Sequence, residues 1–177
     1  MNKFVTCVLS ILLIVILGNV RVLSSELTEE EKTNKELIEW LFTEGLNKQN
    51  PDAFDSVLAD DYVRYCDAMP PEMQVLRGKE TMIQFLTEHF ITFPDWNGKI
   101  IQMVIEDDMV AIVAIGTGTM TGKMGPHKPT GKSVKVTEIM MHRFRDKKII
   151  ETWVSWDNVN FLTQAGLMGS PESSEDQ

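Results

Sequence analysis

Cysteine is nearly absent from this chain. Of its two cysteines, Cys7 lies in an apolar leader, so removal of the leader leaves Cys66 alone and no intrachain disulfide can form. A lone thiol in an exported protein serves either an intermolecular bridge or as a small buried hydrophobe, and the second is our reading. Basic residues are also scarce: 17 Lys and Arg face 26 Asp and Glu, a formal charge of −9. Losing Lys3 and Arg21 with the leader leaves 15 against 26, or −11. That balance argues against nucleic acid or an anionic membrane as partner. The acids are dispersed, without an EF-hand loop or Asp-rich repeat, so a calcium site is not expected either. The three histidines, His89, His127 and His142, have no metal-ligand spacing, and neither a metal nor an organic cofactor is implied. Beyond the leader there is no second long apolar run, no N-x-S/T acceptor and no C-terminal retention tetrapeptide.

What is present begins with that leader. Lys3 supplies a short basic start, Phe4 to Leu17 is apolar apart from Thr6, Cys7 and Ser10, and small residues follow at Gly18, Ser24 and Ser25. The run is shorter than the roughly 20 residues that span a bilayer, so residues 1–25 read as a secretory signal peptide and the product as secreted and soluble. Residues 26–168 have the length of one domain, and the acidic, Ser-rich tail of 169–177 carries no core residue and reads as disordered.

Three helices open the domain. Thr28 and Glu31 form a capping box ahead of an apolar stripe of Leu37, Ile38, Trp40 and Leu41 that runs to about Gly45. Asn50 caps a short helix with Pro51 at its first position and Phe54, Val57 and Leu58 on one face. A strand over Asp60 to Asp67 leads into the loop at Pro70 and Pro71. The third helix spans about Gly78 to Phe93, with Met82, Phe85, Leu86 and Phe90 inward, and stops before Pro94. Strands follow over Ile100 to Ile105, Met109 to Thr119, Lys132 to Phe144 and Ile149 to Trp156. Asp157 caps a last helix ending at Gly166. Helices followed by a four-strand antiparallel run make an α+β domain, a curved sheet with helices over its concave side.

The segment from Gly116 to Lys132, GTGTMTGKMGPHKPTGK, and that from Arg143 to Asp157, RFRDKKIIETWVSWD, resemble the SnoaL-like polyketide cyclases of the nuclear transport factor 2-like superfamily. The resemblance extends from about Thr28 to Gly166. It implies a cone-shaped fold with an apolar pocket at its centre. On Lys132 to Phe144, alternation sets Val134, Val136, Glu138, Met140, His142 and Phe144 on one face. Both faces contain apolar residues, so periodicity leaves the inner one open. By resemblance, the family's catalytic histidine precedes the arginine matching Arg143 by three residues, and its aspartate precedes the residue matching Asp157 by three. Those positions are Met140 and Val154, which marks their faces as inward and places Trp156 inside, Trp153 outside. A second family histidine falls at Met120.

None of these three residues can transfer a proton, so the family's cyclisation chemistry is expected to be lost. The pocket is expected to be lined by Tyr65, Met120, Val136, Met140, Val154 and Trp156 and to take a small hydrophobic or aromatic molecule. Catalytic candidates are Asp67, Glu138 and His142. Each has a structural alternative: a turn residue before Pro70 for Asp67, a partnered carboxylate for Glu138, a solvated strand end for His142, and we favour these last two. Steroid isomerases share this superfamily and shuttle protons with one aspartate and one phenolic hydroxyl, which offers a second reading, an isomerase- or cyclase-type enzyme using Asp67 with Tyr62 or Tyr65, or Glu138, although their spacing is not specific. A third is a non-enzymatic extracellular matrix component, with Ile139 and Met141 on the outer face serving self-association as a homodimer through the sheet.

Overall fold

The structure, a computed structural model, describes residues 26–169. The proposed signal peptide and the tail beyond Gly169 lie outside the described residues. Helix α1 (Glu29–Trp40) opens on the predicted capping box: Glu31 N–H donates to Thr28 Oγ1 at 3.2 Å and Thr28 N–H to Glu31 Oε2 at 2.7 Å. It passes into a π-helical turn, Leu41–Leu46, that buries Leu41, Phe42 and Gly45. Trp40 is 43% exposed and does not belong to the inward stripe. Two residues after fully buried Ile38, it sits about 200° around the helix from it. Helix α2 (Pro51–Val57) has Asn50 as its cap and Phe54, Val57 and Leu58 inside, as predicted. Helix α3 (Lys79–Thr92) starts at Gly78, whose φ of 84° suits glycine, and ends before Pro94. Asp157 caps α4 (Asn158–Gln164), its Oδ1 accepting from Asn160 N–H at 2.9 Å.

Six strands form one sheet: β1 (Leu58–Tyr65), β2 (Val75–Arg77), β3 (Asn97–Glu106), β4 (Met109–Thr119), β5 (Ser133–Arg145) and β6 (Lys148–Trp156). Their spatial order is β2-β1-β6-β5-β4-β3. The predicted antiparallel run is there as β3 to β6, but β1 joins β6 in parallel, so the whole sheet is mixed. Strand β1 starts and ends two residues before the predicted span, leaving Cys66 and Asp67 beyond it. Strand β2, with one buried side chain in three, is too short to show a period. Register shifts interrupt β1, β3 and β5, and such irregularities bend strands and curve a sheet.

The helices cover the concave face, where one core cluster joins Ile38, Phe54, Tyr62, Phe90, Ile112 and Phe144, and a second joins Phe93, Trp96, Met120, Val134, Val136 and Ala165. The G-T-G-T motif has a packing reason. Gly116 and Gly118 point inward, and a Cβ on Gly116 would stand 2.3 Å from Trp96 Cζ2. Trp96 therefore lies flat against a strand with no side chains in its way.

Candidate functional site

Between the concave sheet and the helices lies a cavity of about 870 Å³. Tyr62 and Arg64 from β1, Val136, Glu138, Met140 and His142 from β5, and Thr152, Val154 and Trp156 from β6 form its sheet wall. Leu41 and Phe42 of the π-turn, Phe54 of α2, and Met82, Phe85, Leu86 and His89 of α3 form the opposite wall. Residues of the 68–73 and 123–127 loops and of α4 complete the lining.

Strand pairing arranges the sheet wall in rows. Thr152 is paired with His142 on one side and with Arg64 on the other, giving a polar row across three strands. The next inward pair is Met140 with Val154, and beyond it Glu138 with Trp156. Cross-strand neighbours lie about 5 Å apart. The apolar Met140–Val154 pair thus separates the His142 row from Glu138.

Burial governs the ionisable groups here. Desolvation pushes the Glu138 carboxyl up to about 7, opposed by the positive charge of Arg64. His142 is driven down to about 4 by burial alone, and His89 to about 4 by burial with Arg64 adding to it. Burial also raises the Tyr62 phenol to about 12. His142 Nδ1 lies 3.0 Å from Thr152 Oγ1, while its Nε2 is buried without a hydrogen-bond partner. Arg64, 4% exposed, likewise has an unpartnered Nη1, and its guanidinium lies over the Phe85 ring at 4.9 Å and the Trp156 ring at 5.9 Å.

Four of the six predicted lining residues, Val136, Met140, Val154 and Trp156, line the cavity. Tyr65 does not: alternation along β1 turns Tyr62 and Arg64 inward and Tyr65 outward, where it stacks on Trp153 at 5.4 Å. Met120 is fully buried in the second core cluster and packs there instead of reaching the cavity. Asp67 is exposed and absent from the lining, because β1 ends before it and the chain turns, with Met69 N–H donating to Cys66 C=O. An Asp67–Tyr62–Tyr65 shuttle is therefore not assembled. Glu138 and His142 do line the cavity. The solvated reading of His142 fails, since β5 continues past it to Arg145 and leaves it 6% exposed. Cys66 is a free thiol, 1% exposed, its pKa raised by burial. Ile139 and Met141 are 60% and 40% exposed on the outer face.

Sequence reasoning passed over Arg64 and His89. Both were reachable: Arg64 shares the strand face of Tyr62, and His89 extends the inward stripe of Met82, Phe85 and Leu86 at helical spacing. A charged residue in an inward register was the signal.

The architecture is similar to that of solved structures. A protein from Jannaschia sp. CCS1 assigned as a SnoaL-like polyketide cyclase superposes with a TM-score of 0.74 at 22% identity, covering 84% of this chain and 100% of that one. IdmH from Streptomyces antibioticus, assigned as a polyketide cyclase, gives 0.64 at 27% identity over 75% of this chain and 98% of its own. AclR from Streptomyces galilaeus, assigned as a hydroxylase, gives 0.69 at 21% identity, with 80% and 87% covered. Among curated protein sequences none matches. The family model of the SnoaL-like polyketide cyclases matches residues 36–165, which takes in every strand and the whole cavity wall, and the chain belongs to that family.

Proposed function

We propose that this domain binds a small hydrophobic or aromatic molecule in its cavity and does not perform polyketide cyclisation through the family's acid–base pair. The observation that carries the reading is the pairing of Met140 with Val154 on the cavity wall. Those are the positions at which, by resemblance, the cyclases hold their histidine and aspartate. Aldol closure needs one group to take a proton from carbon and another to deliver one to the developing alkoxide, and neither side chain does so. An apolar wall with a few polar groups suits retention of an apolar ligand. Export through the segment 1–25, and self-association through Ile139 and Met141 on the outer face, are proposed with it. Wild-type protein should leave β-keto polyketide-like substrates uncyclised above background, each missing group being worth roughly 10²–10⁴ in rate. Native mass spectrometry of protein from its natural source should show a bound small molecule. Robust cyclisation by the wild type would overturn the reading.

A second reading rests on Glu138. A carboxyl at about 7 is poised to exchange protons near neutrality, so Glu138 alone suffices to enolise a bound ketone, taking the α-proton and returning it to another carbon. Deuterium exchange at the α-carbon of a cyclic enone, abolished by Glu138→Gln, tests it.

A further inference from the structure

We propose that the cavity's ligand is an apolar or aromatic carboxylic acid whose carboxylate sits on Arg64 and whose body lies over the Met140–Val154 pair against Trp156. The inference rests on the ligand-binding reading above and names the chemical class of the ligand. Arg64 is the starting point. A guanidinium carries five N–H donors in a planar fork and stays protonated at any physiological pH, so burial does not neutralise it. This one is almost wholly buried, with Nη1 unpartnered, and none of the ion pairs among the described residues includes it. The Phe85 and Trp156 rings attract its charge through their π-faces and the Cys66 thiol interacts with it by a side-chain hydrogen bond, but the N–H directions of Nη1 stay unanswered. An unanswered buried cation is destabilising, and a methionine or leucine would fill the same space more favourably.

Below neutrality no other group in the cavity balances the charge. His89 and His142 are held neutral, Tyr62 stays a phenol, and the buried Cys66 thiol is held protonated. Glu138 feels the charge of Arg64 but ionises only as the pH passes through neutrality, so below it the carboxyl supplies no countercharge. Glu72, Glu88, Lys123 and His127 reach the lining from exposed positions, where water screens them. Below neutrality the interior field is therefore that of one fixed positive charge.

A second unpartnered atom lies in the same row. Thr152 lies between Arg64 and His142 in the strand register, and its hydroxyl lies 3.0 Å from His142 Nδ1. With that hydroxyl donating to Nδ1, the His142 Nε2 carries the proton and presents an N–H donor. The neutral ring and the guanidinium then flank one end of the cavity with donors that lack acceptors. A carboxylate supplies acceptors and the countercharge together, and a planar guanidinium matches it in two parallel hydrogen bonds.

The test is binding of three acids, benzoate, 2-naphthoate and dodecanoate, and of their primary amides, followed calorimetrically at pH 6.0, where the acids are ionised and Glu138 is protonated. The amides keep the apolar body and remove the charge. At least one acid should bind about tenfold to a hundredfold more tightly than its amide, the range expected for a hydrogen-bonded charge. Arg64→Met should lower that acid to the level of the amide and leave the amide unchanged. Equal binding of acids and amides by the wild type would overturn the inference and leave the ligand-binding reading standing. Binding of none of the six would count against both. Should Arg64→Met fail to fold, the wild-type ratio of acid to amide decides alone.

Discussion

The two faces of the β5–β6 ribbon carry the same kinds of residue one position apart, yet treat them in opposite ways. On the outer face Arg143 pairs with Glu151 at 2.8 Å and Asp108 at 3.8 Å, and lies over the ring of Trp153, which stacks on Tyr65. Arg143 and both its acidic partners have access to water. On the inner face Glu138, His142 and neighbouring Arg64 have aromatic and aliphatic surroundings, and two of the three carry buried polar atoms with nothing to bond. Desolvation moves the protonation equilibria of Glu138 and His142 far from their usual positions. The inner groups cost the fold something and stay, which is the pattern of a site and not of a core.

The sharpest way to break that contrast is to remove an inner charge. The Glu138 carboxyl has an ordinary value near 4.5 when unfolded and about 7 when folded, so the folded state holds its proton more tightly. Its stabilising effect is complete below pH 4.5 and is lost as pH rises through about 7. Relative to wild type, Glu138→Gln should therefore gain on the order of 2–3 kcal/mol between pH 4.5 and pH 8, read from urea unfolding at both values. A gain that does not change with pH would mean that the carboxyl is solvated. Adjacent residues on β4 give the next largest contrast. Gly116→Ala drives a methyl into the Trp96 ring and should destabilise by about 1–3 kcal/mol, while Thr117→Ala, facing outward, should stay within about 0.5 kcal/mol.

Fluorescence separates the two faces of β6. An aromatic ligand should perturb Trp156 in the cavity, with stacking worth about 0.5–1.5 kcal/mol, and the response should vanish in Trp156→Phe and persist in Trp153→Phe. The reverse pattern would place the ligand on the outer face. Smallest is the change expected at Arg143: replacing it with methionine should cost about 0.2–1 kcal/mol, most of it removed by 1 M salt, because both its ion pairs are open to water. A larger, salt-insensitive loss would show that the outer face is covered in solution.

The chain's own signals read well where the physics is local. The Thr28–Glu31 box, the Asn50 cap before Pro51, the stop at Pro94 and the Asp157 cap are short-range hydrogen bonds and steric limits, and each stands where residue types place it. Alternation on β5 and β6 sorted Glu138, Met140, His142, Val154 and Trp156 correctly from their neighbours once the family resemblance had named the inner face. Where contact is distant in sequence, the reading failed. The parallel docking of β1 on β6 brings Arg64 beside Thr152, and no local pattern encodes that register. Met120 was assigned to the pocket by its place in a motif, but the return of Lys132 and the packing of Trp96 seal it into the second core. Tyr65 was misplaced because alternation turns Tyr62 and Arg64 inward and leaves it on the outer face, and Asp67 because the strand ends two residues before it.

The sequence by itself determined the helices, five of the six strands and their alternating faces, since these depend on periodicity, capping and turn chemistry over a few residues, while the family came from the resemblance that its motifs carry. Only the tertiary structure decided which charges are buried without partners and that Arg64, Thr152 and His142 share one row. Desolvation depends on everything that surrounds a group, and here the surroundings come from three strands and a helix spread over ninety residues of chain between Arg64 and Val154.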